Sequence, residues 1–220
     1  NYHSLMDHLG SGREWDLTRK NGGLNIIPPY SERNIKVYNG RVEALASILS
    51  FLKKQKEKYV VMSDANIAVN FDFNALLEAH IESGADVTIA YTEDEIPQGL
   101  MQSNDIRDQY YTFTIEDGRI KKIYMNSKAP GVQNLSMNIY VLNREQFVDQ
   151  INRAYVRGYT HFERDVLAPQ LKKDNIRAFK YEGYRARICD MKSYFDENMR
   201  LLEDENLVAL FGGNQVYTKI

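Results

Sequence analysis

The chain predicts an α/β domain built on a mixed, largely parallel sheet, and three observations carry that reading. Short β-branched or aromatic runs alternate with longer amphipathic stretches along the 220 residues, the pattern of strands connected through helices. Two of the runs, Tyr59–Ser63 and Asp86–Tyr91, are nearly all apolar or β-branched, as strands are when both faces are covered. Asp117-Gly118 separates two alternating runs within residues 112–123. That dipeptide is a strong hairpin signal and implies a local antiparallel pair attached to the sheet.

The elements follow in order. Leu5 and Leu9 lie at helical spacing with Gly10 behind them, which reads as a short helix with a glycine stop. Leu24–Ile27 reads as a strand. Val42, Leu45, Ala46, Ile48 and Leu49 form one stripe of a helix over residues 40–53. The strand Tyr59–Ser63 comes next, then a helix over 74–83, the strand Asp86–Tyr91 and the hairpin that begins at Tyr111. Met137–Leu142 reads as a strand, 144–155 and 161–171 as helices, Arg177–Tyr181 as a strand and 192–204 as a helix. Residues 211–220, which include Gly212-Gly213, read as a linker leaving the domain. No internal repeat interrupts the pattern.

Composition excludes several classes. A hydrophobic share of 43% is that of a globular chain rather than a disordered one, and a net charge of −2 provides no basic field for nucleic acid or an anionic membrane. The single cysteine, Cys189, permits no internal disulfide and no multi-cysteine metal site, and it fits a reducing, cytoplasmic location. No apolar run approaches the roughly 20 residues of a membrane span. His3, His8, His80 and His161 are scattered, and Cys189 has no histidine at a catalytic spacing. There is no Gly-x-Gly-x-x-Gly or Walker A loop. Gly10-Ser11-Gly12-Arg13 follows a helix rather than a strand, which makes it a weak phosphate cradle.

The informative segments are strand ends, because ligands of open α/β sheets bind outside the carboxyl ends of strands. Ser63 to Asn66, Ser127-Lys128 and Ser136-Met137-Asn138 are such segments. Lys128 precedes Ala129-Pro130-Gly131, a turn able to hold its stem and aim its ammonium at a phosphate.

In this order the segments resemble the ADP-glucose pyrophosphorylase (glucose-1-phosphate adenylyltransferase) family of sugar nucleotidyltransferases, over essentially the whole chain. Residues 2–17 resemble the helix and loop preceding a strand that ends in paired prolines, here Pro28-Pro29. Tyr38-Asn39-Gly40-Arg41-Val42-Glu43-Ala44 resembles Tyr-x-Gly-Thr-Ala-Asp-Ala, and Ser83-Gly84-Ala85-Asp86-Val87-Thr88 resembles Gly-Ala-Asp-x-Thr. Ser127-Lys128-Ala129 stands for Glu-Lys-Pro, Ser136-Met137-Asn138 for Ser-Met-Gly, and Phe162-Glu163-Arg164-Asp165 for Phe-Gly-Lys-Asp. Ala65-Asn66-Ile67 stands for Gly-Asp-His, and Ala186-Arg187-Ile188-Cys189-Asp190 for Arg-Asp-Val-Gly-Thr.

The resemblance implies a Rossmann-like nucleotide-diphospho-sugar transferase fold. Residues 1–208 would form a partial nucleotidyltransferase domain, and 209–220 a linker toward a C-terminal left-handed β-helix. The family's first two strands and its Gly-rich nucleotide loop would precede Asn1, so the exposed edge of Tyr59–Ser63 would be covered by another chain or by residues outside this sequence. The resemblance also implies sugar-phosphate contacts at Ser127, Lys128, Ser136 and Asn138 and nucleotide contacts at Tyr38 and Gly40. Asn66 and Arg187 occupy the positions of the two metal-binding aspartates.

The family uses Mg²⁺ and ATP. Here an amide and a guanidinium replace two carboxylates, which shifts the local charge by about three units and leaves no metal-ligand set. Asp64 is the acid placed to substitute, since residues two apart on a strand share a face. These losses resemble the GlgD-type subunit of bacterial glycogen synthesis, which implies a regulatory or catalytically weak protein partnered by a GlgC-type catalytic subunit in a hetero- or homo-oligomer. An active adenylyltransferase and a non-catalytic interaction domain are the alternatives.

Overall fold

The computed structural model describes residues 2–19, 22–27, 38–102 and 109–213. Pro28, Pro29 and the final linker residues 214–220 lie outside them. The helices in chain order are α1 (Tyr2–Leu9), α2 (Arg41–Ser47), α3 (Leu49–Leu52), α4 (Phe73–Glu82), α5 (Gln98–Gln102), α6 (Arg144–Val156), α7 (Met191–Arg200) and α8 (Asp204–Phe211). The strands are β1 (Tyr59–Ser63), β2 (Ile67–Val69), β3 (Val87–Glu95), β4 (Tyr111–Glu116), β5 (Arg119–Met125), β6 (Val132–Asn143), β7 (Ile176–Lys180) and β8 (Arg185–Arg187). A π-helical turn covers Phe162–Leu167.

Among the described residues, six strands form one sheet in the order β1-β6-β3-β7-β5-β4, with a further β6–β4 pairing, and β2 pairs with β8 in a small second sheet. The sheet is mixed, as expected, but its balance differs from a largely parallel one. Only β3 and β7 pair in parallel among the described strands; β6 is antiparallel to both β1 and β3, and β5 to both β4 and β7. By direction, β1, β3, β4 and β7 point the same way. Strand β6, inserted the other way between β1 and β3, converts what would be parallel neighbours into antiparallel pairs.

Both faces of the sheet are covered. One carries Val87, Ile89, Tyr140 and Leu142 against α2, α3, α6 and the π-helical turn, through Val42, Leu49, Phe147 and Phe162. The other carries Ala90, Met137, Ile139 and Val141 with Leu76 of α4 and Phe71. Buried His80 of α4 ties this second layer to β3, its Nδ1 lying 2.8 Å from Thr88 Oγ1. Capping side chains start the long helices. Asp72 accepts from the Asn74 and Ala75 N–H groups, Asn143 from those of Glu145 and Gln146, and Asp190 and Ser193 form a capping box on α7.

Several expectations are corrected. Residues 24–27 are not a strand; Leu24 N–H donates to Leu17 O, and no described strand lies beside them. The helix expected over 40–53 breaks at Ile48, whose φ of −98° and ψ of 1° interrupt the helical path. The helix expected over 192–204 ends at Arg200, and α8 then continues through Phe211 into the stretch read as linker. Strands β2 and β8 and helix α5 carried no sequence signal. β1 pairs with β6 on one side and with no described strand on the other, and Val61 in its middle is 44% exposed. Among the described residues, no helix is long and apolar enough to cross a membrane.

Candidate functional site

The site is organised by an irregularity in β6. Its pairing with β3 runs Ala90↔Ile139 and then Tyr91↔Ser136, so Met137 and Asn138 have no partners on β3. Asn138 adopts a φ of +55° in the bulge. Left-handed backbone favours glycine, and Asn is among the few other residues that tolerate it. The turn seals Asn138 at 1% exposure. Its N–H donates to Ser136 Oγ at 3.0 Å, and Ser136 Oγ donates to Asn138 Oδ1 at 3.2 Å.

Around Asn138 lies a partly buried polar cluster drawn from four segments. Arg41, the first residue of α2, places Nη2 2.8 and 3.0 Å from the two oxygens of Asp64 and Nη1 2.5 Å from Glu163 Oε1. Asn138 Nδ2 donates to Asp64 Oδ2 at 2.6 Å, and Tyr140 Oη donates to Glu163 Oε1 at 2.6 Å. Glu163 sits on the π-helical turn and is 1% exposed. Burial would depress the Arg41 pKa, but Tyr140, Glu163 and Asp64 outweigh it and the pKa is raised. Burial first, then the negative field of Glu163, raises Tyr140 and Tyr111, so both phenols stay neutral donors. Arg41 is therefore a permanent cation held between two acids.

Gly40 makes this placement possible. A Cβ there would lie 2.5 Å from Thr160 O, the same carbonyl that accepts from Val42 N–H at 3.1 Å. Only glycine lets the start of α2 approach Thr160 so closely. Tyr38 also serves this helix, its hydroxyl donating to Ser47 Oγ at 3.0 Å. Both residues expected to contact a nucleotide thus brace α2.

The segments that carry Asn66 and Arg187 are adjacent. β2 and β8 pair with Ile67 opposite Arg187, and Ile188 N–H donates to Asn66 O at 2.8 Å. Asn66 is exposed. Arg187 donates through Nη2 to Gln109 O at 3.3 Å, while its buried Nε has no hydrogen-bond partner. These two residues do not fit a divalent metal: the pair offers one amide and one cation, where a hard ion needs anionic oxygens. The strand-face argument for Asp64 and Asn66 does not apply, because β1 ends at Ser63 and Asp64 bonds Arg41 and Asn138. Among the described residues, no group of three or more His, Cys, Asp or Glu side chains could hold a metal.

Ser136 and Arg187 line one cleft of about 350 Å³, together with Asp94, Arg185, Lys192 and Arg200. Arg185 is ion-paired with Asp94. Ser127 and Lys128 are placed elsewhere. Tyr110 Oη donates to the Ser127 carbonyl at 2.8 Å, Ala129 N–H donates to Ser127 Oγ at 3.3 Å, and Lys128 is exposed. Arg41, Tyr140 and Glu163 were not singled out from sequence. The available signal was joint departure: Arg41, Asn138 and Glu163 each replace a Thr or Gly of the resembled motifs, and the fold gathers all three.

The family model described as nucleotidyl transferase matches residues 1–204. The chain is 30% identical over 217 residues to the glucose-1-phosphate adenylyltransferase of Geobacillus stearothermophilus, covering 94% of this chain and 53% of that protein. It is 28% identical over 216 residues to that of Bacillus subtilis (strain 168), covering 94% and 54%. It is also 28% identical over 225 residues to that of Thermomicrobium roseum, covering 99% and 50%. The chain thus spans about half the length of the curated relatives it matches. Its motifs, its mixed α/β sheet and this match along nearly its whole length make the chain a member of the nucleotidyl transferase family, similar within it to glucose-1-phosphate adenylyltransferases.

Proposed function

We propose that the chain is the nucleotidyltransferase part of a regulatory or catalytically weak subunit of glucose-1-phosphate adenylyltransferase. That enzyme makes ADP-glucose and pyrophosphate from ATP and glucose 1-phosphate for glycogen synthesis. In this reading the subunit works in the cytoplasm beside a GlgC-type catalytic partner. The observation that carries the reading is that the β2–β8 pairing sets Asn66 beside the Arg187 strand, with Ile67 opposite Arg187 and Asn66 O accepting from Ile188 N–H. At the positions of Asn66 and Arg187 the resemblance implies two metal-binding aspartates. The alternative acid, Asp64, has both oxygens engaged by Arg41 and Asn138.

A sugar phosphate or nucleotide sugar is the ligand class for the cleft. Its volume lies within the roughly 300–1,000 Å³ of small-molecule sites. Arg187, whose guanidinium type suits phosphate contacts, is among the residues that line it, and Ser136 lines it next to the Asn138 bulge. Ser127 and Lys128 stand outside the cleft, so their role in this reading is to approach a ligand from its rim.

The test is ADP-glucose formation by the full-length protein from ATP, glucose 1-phosphate and Mg²⁺. Turnover is expected to be at least about 100-fold below that of a GlgC-type partner, the size of loss seen when an electrostatic stabiliser of a transition state is removed. The double change Asn66→Asp with Arg187→Asp is expected to raise it. High turnover by the unaltered protein alone, abolished by Asp64→Ala, sinks the reading.

A further inference from the structure

We infer that Arg41 is a built-in occupant of a cation pocket: its guanidinium fills and neutralises an acidic pair, Asp64 and Glu163, that takes a divalent cation once Arg41 is removed. This goes beyond the proposed function and does not rest on it, because the pocket is distinct from the Asn66–Arg187 pair and the test reads metal binding rather than turnover.

Four facts support it. The two carboxylates come from unrelated segments, the end of β1 and the π-helical turn, yet converge on one guanidinium. Glu163 is 1% exposed and uses Oε1 for both Arg41 and Tyr140, while Oε2 has no hydrogen-bond partner. A buried carboxylate oxygen left unpaired is costly, and it marks coordinating capacity that the guanidinium does not use. Asn138 lines the same enclosure with Nδ2 on Asp64 and Oδ1 3.3 Å from Tyr140 Oη, and a turn of its amide exchanges the donor for the oxygen. Side-chain exposures of 23% for Arg41 and 31% for Asp64 open the pocket to solvent on one side, so an ion can enter and keep part of its water.

The donors are all hard oxygens, which select a hard divalent ion over a transition metal. The carboxylates are spaced by the width of a guanidinium fork. That suits Ca²⁺, with its longer bonds and flexible coordination, better than octahedral Mg²⁺. Two carboxylates and an amide make a weak site, consistent with the absence of any three-acid cluster among the described residues.

The test compares the full-length protein with Arg41→Ala, Arg41→Lys and the double variant Arg41→Ala/Glu163→Gln. Ca²⁺ is added at constant ionic strength and melting is followed; Tb³⁺ luminescence excited through tyrosine is read in parallel, since Tyr140 adjoins the pocket. Arg41→Ala is expected to gain a Ca²⁺-dependent rise in Tm, about 5 °C or more when the ion exceeds its Kd roughly 100-fold. It should also gain Tb³⁺ emission that Ca²⁺ displaces. The unaltered protein, Arg41→Lys and the double variant are expected to show neither gain. Equal responses in the unaltered protein and Arg41→Ala overturn the inference, as does a double variant that responds like the single one. So does an Arg41→Ala protein that fails to fold even with Ca²⁺ while the double variant folds.

Discussion

Asn138 keeps a backbone conformation that suits glycine better than any other residue, and its side chain then becomes the hub between Asp64, Ser136 and Tyr140. The two roles can be separated by mutation. Asn138→Ala and Asn138→Gly lose the same hydrogen bonds, but only alanine is strained at a φ of +55°. Alanine is therefore expected to be less stable than glycine by about 1 kcal/mol, the reverse of their order in ordinary strands and helices. Urea denaturation of the two variants measures the difference, and equal stabilities would show that the bulge relaxes. The sequence motif singled out Asn138 and Ser136 as expected sugar-phosphate contacts. It did not predict that Arg41 and Glu163 meet there, because residues 41, 64, 138 and 163 become neighbours only when α2, β1, β6 and the π-helical turn pack on one face of the sheet.

At the scale of elements, the π-helical turn and the approach to it depend on one acid. Asp165 accepts from the backbone N–H groups of Thr160 at 3.1 Å and His161 at 2.9 Å and pairs with Arg164. The Arg164 hydrogen bonds, joined by those two backbone donors and opposed by burial, lower its pKa from 3.8 to about 2. A depressed carboxylate contributes stability that is complete above the unfolded value and lost as pH falls through the folded one. The contribution of Asp165 is thus present above about pH 4 and disappears toward pH 2. Asp165→Asn is expected to flatten stability across that acid window while lowering it near neutrality, as chemical denaturation at stepped pH would show. An unchanged acid limb would mean that Asp165 does not anchor the turn. The long helices with Asp or Asn caps and the Asp117-Gly118 hairpin were legible in the sequence, because caps, turns and periodicity are local. The three-residue strands β2 and β8 were not: three residues show no period, and their partners lie more than 100 residues apart.

For the whole molecule, His80 joins α4 to the sheet from a position 2% exposed, with its ring edge-on to Tyr59 and bonded to Thr88. Burial lowers its pKa, Lys58 adds to the effect and Asp86 opposes it. The other charged groups facing the ring are thus Lys58 before β1 and Asp86 before β3. The folded state resists protonating His80 while the unfolded chain accepts a proton near pH 6.5, so stability is full above that value and declines as pH falls below it. The urea midpoint is expected to drop between pH 7.5 and pH 5.5, and His80→Gln, which can still bond Thr88, to lessen the drop. A drop of equal size in both proteins would assign it to other groups.

By itself the sequence determined the α/β class, the places of β1, α4, α6 and the β4–β5 hairpin, and the family resemblance. All of these are written in local periodicity, turn chemistry and short motifs. Tertiary structure alone decided that β6 runs against its neighbours, that two short strands bring Ile67 opposite Arg187 and Asn66 against Ile188, and that Arg41 sits between Asp64 and Glu163. Strand direction and buried charge pairing depend on which distant segments share a face of the sheet, and that is settled by packing rather than by neighbours along the chain.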